Sequence, residues 1–124
     1  MTAGKIIAEV DALAPNQYTT EQKLAWLSNF DGKVFEELLA THKDPAITTF
    51  IPYEDEEREL LIPFPYGWDV YTHHLQAMIA VENAEDEKFN QQNMLTAIAY
   101  EAYTDLYNRT HTPIGPVGGN RFRF

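Results

Sequence analysis

The chain has 124 residues, no cysteine, and nineteen acidic against nine basic side chains, a formal charge of -10. Its length suits one domain, and its 44% hydrophobic fraction can fill a core, so disorder throughout is excluded. Disulfides, thiolate metal sites and cysteine nucleophiles are also excluded, and the negative charge opposes tight binding to nucleic acid. With no apolar run of about 20 residues, we expect no membrane span.

The N-terminal part of the chain predicts two helices. Apolar residues at helical spacing predict the first over residues 2–13. Thr19 and Gln22 fit a capping box for a second helix over residues 20–42. Gly32 lies inside this helix at a cost of about 1 kcal/mol relative to alanine. The apolar positions on both sides of Gly32 keep one helical phase, so we expect a continuous helix.

Residues 43–65 lose the helical period and contain four prolines, which predicts a long extended connection. Segments 47–53 and 60–62 are apolar enough to pair as a short β ribbon at an edge. Residues 54–59, with the sequence EDEERE, form an acidic run between them. Long connections in compact domains are more often functional than idle, so we expect contacts with other chains here.

Helical periodicity returns after Pro65. It predicts a third helix from about Tyr66 to Glu87 and a polar turn in which Asn90 caps the next helix. The fourth helix is predicted from about Gln91 to Arg109. One of its faces carries Met94, Leu95, Ile98, Ala102 and Leu106.

The predicted fold is all-α, a small bundle of about four helices in a domain of residues 1–110. Residues 111–124 contain two prolines and three glycines, which cannot continue a helix. They are predicted to form an extended C-terminal tail.

Residues with catalytic potential are few. His73 and His74 are adjacent on a helix, about 100° apart, and cannot chelate one ion as residues at i and i+4 can. The single serine, Ser28, lies inside a predicted helix without the glycine elbow of a hydrolase nucleophile. We expect no enzyme, cofactor or metal, and keep an enzyme with His73 or His74 as its base as a lesser alternative.

Aromatic residues are abundant, with seven Phe, seven Tyr and two Trp. Tyr100, Tyr103 and Tyr107 recur on one side of the fourth helix, where they could either meet a partner or close the rim of a monomeric core. Phe122 and Phe124 are hard to bury without a neighbour. The candidate interface residues are Tyr53, Glu54, Asp55, Phe64, Tyr66, Trp68, Tyr103, Tyr107, Arg121, Phe122, Arg123 and Phe124.

The order of these elements resembles that of a known group of proteins. The resemblance runs over residues 16–113 and is carried by Trp26-Leu27, by the stretch 63–71 (PFPYGWDVY) and by the stretch 107–111 (YNRTH). These segments resemble the small head-tail connector, or adaptor, proteins of long-tailed phages and prophages.

The resemblance implies a helical bundle that assembles with copies of itself as a ring beneath the portal, through which DNA passes. It implies portal and tail-completion proteins as partners, the head-tail junction of the virion as the final location, and the host cytoplasm before assembly. No catalytic residues are implied. An alternative is an acidic regulatory module of phage or prophage origin that binds a protein partner through its aromatic face.

Overall fold

The fold, in a computed structural model that describes residues 1–114, is all-α, as predicted. This part of the chain contains no β-strand. Its four α-helices are α1 (Ala3–Leu13), α2 (Thr20–Val34), α3 (Tyr66–Glu82) and α4 (Asp86–Thr110). A single π-helical turn, Phe35–Leu39, continues α2.

Both N-terminal helices begin where the sequence predicts. The side chain of Thr2 accepts a hydrogen bond from the Lys5 N–H at the start of α1. Thr19 and Gln22 form the predicted capping box at the start of α2. The helix continues through Gly32 without interruption, which confirms the expected continuity, and ends with the π turn at Leu39, three residues before the predicted end.

The turn between α3 and α4 differs from the prediction. Helix α3 ends at Glu82 and α4 begins at Asp86, so the turn around Asn90 and its role as a cap were wrong. The Glu85 N–H donates to the Ala80 carbonyl at 2.8 Å, and Ala84 has a φ of 57°. These features form a Schellman motif, which ends α3 without the glycine that would have revealed it in the sequence.

Helix α3 is the centre of the bundle, and each of the other helices packs against it. Its buried side chains include Val70, Tyr71 and Leu75, all inaccessible to solvent. At the periphery of this core, Lys23 of α2 is buried and its Nζ lies 2.7 Å from Asp11 Oδ1 of α1. This pair stabilises the contact between the two N-terminal helices.

The connection over residues 43–65 does not form the β ribbon that its sequence allowed, and that expectation was wrong. Its backbone pairs with the N-terminal segment instead: the N–H groups of Ala3 and Gly4 donate to carbonyls of Arg58 and Glu56 at 3.0 and 2.8 Å. The Leu60 N–H donates to the Met1 carbonyl at 3.1 Å. Within the two segments of the expected ribbon, the N–H groups of Tyr53, Leu61 and Ile62 donate to side chains of the helices instead of to each other's strand.

The chain leaves α4 at His111 in an extended conformation. It then runs beside the end of the second helical segment, where the Lys43 N–H donates to the Thr112 carbonyl at 2.7 Å and the Ile114 N–H to the Thr41 carbonyl at 2.9 Å. The start of the tail is therefore anchored.

Candidate protein interface

The tyrosines of α4 face the core of their own chain. Tyr103 and Tyr107 are buried. The Tyr103 ring lies 5.8 Å from the Tyr66 ring of α3, and the Tyr107 ring lies 4.8 Å from the imidazole of His42, edge to face. The sequence left open whether these two tyrosines meet a partner protein or close the rim of a monomeric core. The structure supports the second interpretation.

The aliphatic face of α4 is the more exposed of its two apolar faces. Met94 and Ile98 are each 58% exposed, and Ala102 is also exposed. Leu95 and Leu106 are half-buried. Helix α4 has a helical neighbour mainly on one side, α3, and the tyrosines occupy that side. We name Met94, Leu95, Ile98 and Ala102 the α4 face.

A shallow groove of about 330 Å³ lies between α3 and the α4 face. It is lined mainly by apolar atoms, with Asp69 and His73 of α3 as its polar side chains. The Nδ1 atom of His73 lies 2.7 Å from Oε1 of Gln92, which joins the two helices. The complete lining is Tyr66, Asp69, His73, Leu95, Ile98, Ala99 and Ala102. Such a face is typical of a surface that another protein covers.

The candidate residues of the connection are divided between core and surface. Tyr53 is buried, with the guanidinium of Arg58 5.2 Å from the centre of its ring. Glu54 and Asp55 are exposed, and Phe64 is 69% exposed. Two aromatic residues at the start of α3 are half-buried: Tyr66 and Trp68.

A buried carboxylate holds the connection against the bundle. Asp31 of α2 is inaccessible to solvent, and its Oδ2 atom accepts hydrogen bonds from the Tyr53 hydroxyl and, at 3.1 Å, from the Leu61 N–H. Its Oδ1 atom accepts a 2.6 Å hydrogen bond from the Tyr71 hydroxyl, which in turn accepts one from the Ile62 N–H at 2.8 Å. Burial raises the pKa of Asp31 to about 6, although these hydrogen bonds oppose the shift.

The histidines pair with neighbouring groups. Nε2 of His74 lies 3.2 Å from the Trp26 carbonyl, and burial lowers the pKa of His74 to about 4. His42 joins the ends of α2 and α4 through Leu38 and Asn108, with contacts of 2.6 and 2.7 Å. Residues 1–114 contain no group of three or more His, Asp or Glu side chains arranged to hold a metal ion.

In comparisons with known proteins, no family model, no curated protein and no solved structure matches this chain. In the part of the chain that the structure describes, no helix has both the length and the apolar composition needed to cross a bilayer. The remaining candidate residues, Arg121, Phe122, Arg123 and Phe124, lie outside the described residues.

The residues of the α4 face lie together on one surface, but they were not among the candidate interface residues predicted from the sequence. The sequence placed them only on one face of the fourth helix. The signal that could have identified them is the presence of two apolar faces, one aliphatic and one aromatic, on one helix of a small bundle.

Proposed function

We propose that this protein is a non-enzymatic structural protein that binds copies of itself through the α4 face. We further propose that it acts as a head-tail connector, in a ring beneath a phage portal. The observation that carries the proposal is the exposure of Met94 and Ile98 on one continuous helical face. An aliphatic face of this kind gains free energy when a neighbour covers it, roughly 25 cal/mol for each Å² of apolar surface buried.

The charge of the chain favours a head-to-tail arrangement over a twofold one. Glu101 and Asp105 are exposed beside Ala102, at the C-terminal end of the α4 face. A twofold contact centred there would place these carboxylates near their own copies, and like charges across an interface cost several kcal/mol. A head-to-tail contact places the α4 face against a different surface, and such contacts generate rings when the rotation closes.

The same charge fits a ring through which DNA slides. The chain carries a formal charge of -10, and Glu54, Asp55, Glu56, Glu57 and Glu59 are all exposed. Carboxylates repel the phosphate backbone, so a lumen that presents them would not retain the duplex.

Native mass spectrometry at rising protein concentration tests the proposal. We expect one discrete assembly with a fixed number of copies, because a closed ring has no free ends. A chain that stays monomeric at every concentration and also fails to assemble on a purified portal contradicts the proposal. Specific capture of a polymerase, nuclease or repressor by that monomer would favour the regulatory module.

A further inference from the structure

A second groove, separate from the α4 face, lies between α2 and the connection. It has a volume of about 600 Å³ and is lined mainly by apolar atoms. The ring of Phe50 forms one wall and packs closely against α2, since a Cβ atom at Gly32 would lie 3.7 Å from it. Pro52 extends this wall, and Ala25 and Asn29 are exposed on the side of α2. We name this feature the α2 groove.

The α2 groove and the α4 face both point away from the contact between their helices. The ring of Phe30 on α2 lies 5.6 Å from the ring of Tyr100 on α4. Gly32 follows Phe30 by two residues, and Tyr100 follows Ile98 by two residues. Two residues correspond to about 160° around a helix, so each surface lies on the far side of its helix from this contact. One copy can therefore present the α2 groove to one neighbour and the α4 face to another, as a head-to-tail ring requires.

Exposed charges at one end of each surface are complementary. Lys33 lies at the C-terminal end of the α2 groove and makes no ion pair within residues 1–114, and Glu36 follows it by three residues. On α4 the order of charges is reversed, because Arg109 follows Asp105 by four residues. Asp105 follows Ile98 by seven residues, two helical turns, so it lies on the side of α4 that carries the α4 face. Each surface therefore offers one cation and one anion to the other.

A parallel arrangement of the two helices joins these charges. The middle of the α4 face lies on the middle of the α2 groove when Ile98 of one copy is placed over Ser28 of another. In the parallel direction Asp105 is then two helical positions from Lys33, about 3 Å along the axis, which a lysine side chain spans. The second pair of opposite charges follows in the same direction.

An antiparallel arrangement separates the same charges. With Ile98 again over Ser28, counting along both helices in opposite directions places Asp105 at Glu21 and Asn93 at Lys33. Two carboxylates then face each other, and the cation faces a neutral amide. Like charges across an interface are costly, so the charges favour the parallel arrangement.

We propose that the α4 face of one copy docks in the α2 groove of the next copy, with the two helices parallel and Asp105 paired with Lys33. This inference rests on the proposed function and deepens it, because it names the surface that receives the α4 face. In this contact the exposed side chains of Met94 and Ile98 are covered by the apolar walls of the groove, and Ala102 lies over Gly32.

Charge reversal tests the pairing, with native mass spectrometry as the measurement. Lys33→Glu and Asp105→Lys, each alone, should raise the protein concentration needed for assembly about tenfold or more, because each places like charges together. The double variant restores opposite charges and should assemble as the wild type does. Lys5→Glu makes the same change of charge at an exposed position of α1 outside the groove and should leave assembly unchanged. Unchanged assembly of Lys33→Glu, or a double variant that does not recover, overturns the contact.

Disulfide cross-linking tests the direction of the helices, since the chain has no cysteine of its own. The parallel contact brings position 94 within one helical position of position 25, whereas an antiparallel contact brings position 102 there. A disulfide requires Cα atoms within about 7 Å. A mixture of Ala25→Cys and Met94→Cys proteins should therefore form a mixed dimer of the expected mass under oxidation. The control mixture of Ala25→Cys and Ala102→Cys should form none, and mixed dimers in the control alone, or in neither mixture, overturn the proposal.

These experiments separate a failure of this contact from a failure of the proposed function. A wild type that assembles neither in solution nor on a purified portal removes both. An oligomer that is lost in Ile98→Glu but unchanged in Lys33→Glu shows that the α4 face binds a surface other than the α2 groove. The proposed function then stands, and the contact described here is overturned.

Discussion

The hydroxyl of Tyr71 donates a 2.6 Å hydrogen bond to Oδ1 of Asp31, and both side chains are inaccessible to solvent. The same hydroxyl accepts the Ile62 N–H at 2.8 Å, so this one atom connects α2, α3 and the connection. Polar groups buried in this way are costly when they lose a partner. The order of the connection should therefore depend on this network.

Tyr71→Phe should lower the free energy of unfolding by about 3 kcal/mol, because it leaves both Asp31 Oδ1 and the Ile62 N–H without this partner in the core. Tyr53→Phe, the matched variant, removes a single hydroxyl donor to Asp31 and should cost less, about 1 to 2 kcal/mol. Urea unfolding at pH 7 measures both. Equal losses would contradict the bridging role of the Tyr71 hydroxyl.

Asp31 should make stability fall as the pH rises from about 4 to about 6. Its pKa is raised from 3.8 to about 6 in the folded chain, so within this range the folded state retains a proton that the unfolded state releases. The Asp31→Asn variant has no group that titrates at this position. Relative to it, the free energy of unfolding of the wild type should fall by about 3 kcal/mol across this range. Urea titrations at a series of pH values measure this difference, and a constant difference would contradict burial of the charge.

His74 should have the opposite effect in an overlapping range. Its pKa is lowered from 6.5 to about 4, so the unfolded chain binds a proton that the folded chain rejects as the pH falls through this interval. Relative to His74→Gln, the wild type should be most stable above pH 6.5 and should lose that advantage as the pH approaches 4. Thermal unfolding of the two proteins at each pH measures this change, and parallel curves would refute it.

Ala84→Gly should stabilise the protein by about 1 kcal/mol. Ala84 has a φ of 57° in the turn that ends α3, a conformation that costs an L-residue roughly 1 to 2 kcal/mol and glycine little. The control, Ala97→Gly, places glycine at an exposed position inside α4 and should destabilise by about 1 kcal/mol. Chemical denaturation should therefore show a higher free energy of unfolding for Ala84→Gly and a lower one for Ala97→Gly. A change in the same direction for both variants would contradict the described turn.

The helices were predictable where the signal is local. The capping box of Thr19 and Gln22 and the continuity through Gly32 depend on neighbouring residues, and both were confirmed. The end of α3 was not predictable, because the Schellman turn uses Ala84 where glycine is usual. In residues 1–114 the backbone of the connection bonds to the N-terminal segment and to helix side chains instead of forming a ribbon, and no local pattern encodes these tertiary contacts.

The candidate site was harder to predict because it depends on which face of α4 is covered. Periodicity identified both the aliphatic and the tyrosine face, but it does not say which one meets α3. In the structure Tyr103 and Tyr107 pack against Tyr66 and His42, and this leaves Ile98 in solvent. The tyrosine face of α4, and not its aliphatic face, makes the ring contacts across the bundle.

Self-association through the α4 face is tested most directly by comparing the sedimentation velocities of two variants, Ile98→Glu and its control Ala97→Glu. Ile98 is 58% exposed and Ala97 is also exposed, so both variants should fold and carry the same added charge on the same helix. We predict that the wild type and Ala97→Glu form the same oligomer while Ile98→Glu sediments as a monomer. An oligomer that survives Ile98→Glu unchanged would contradict the account.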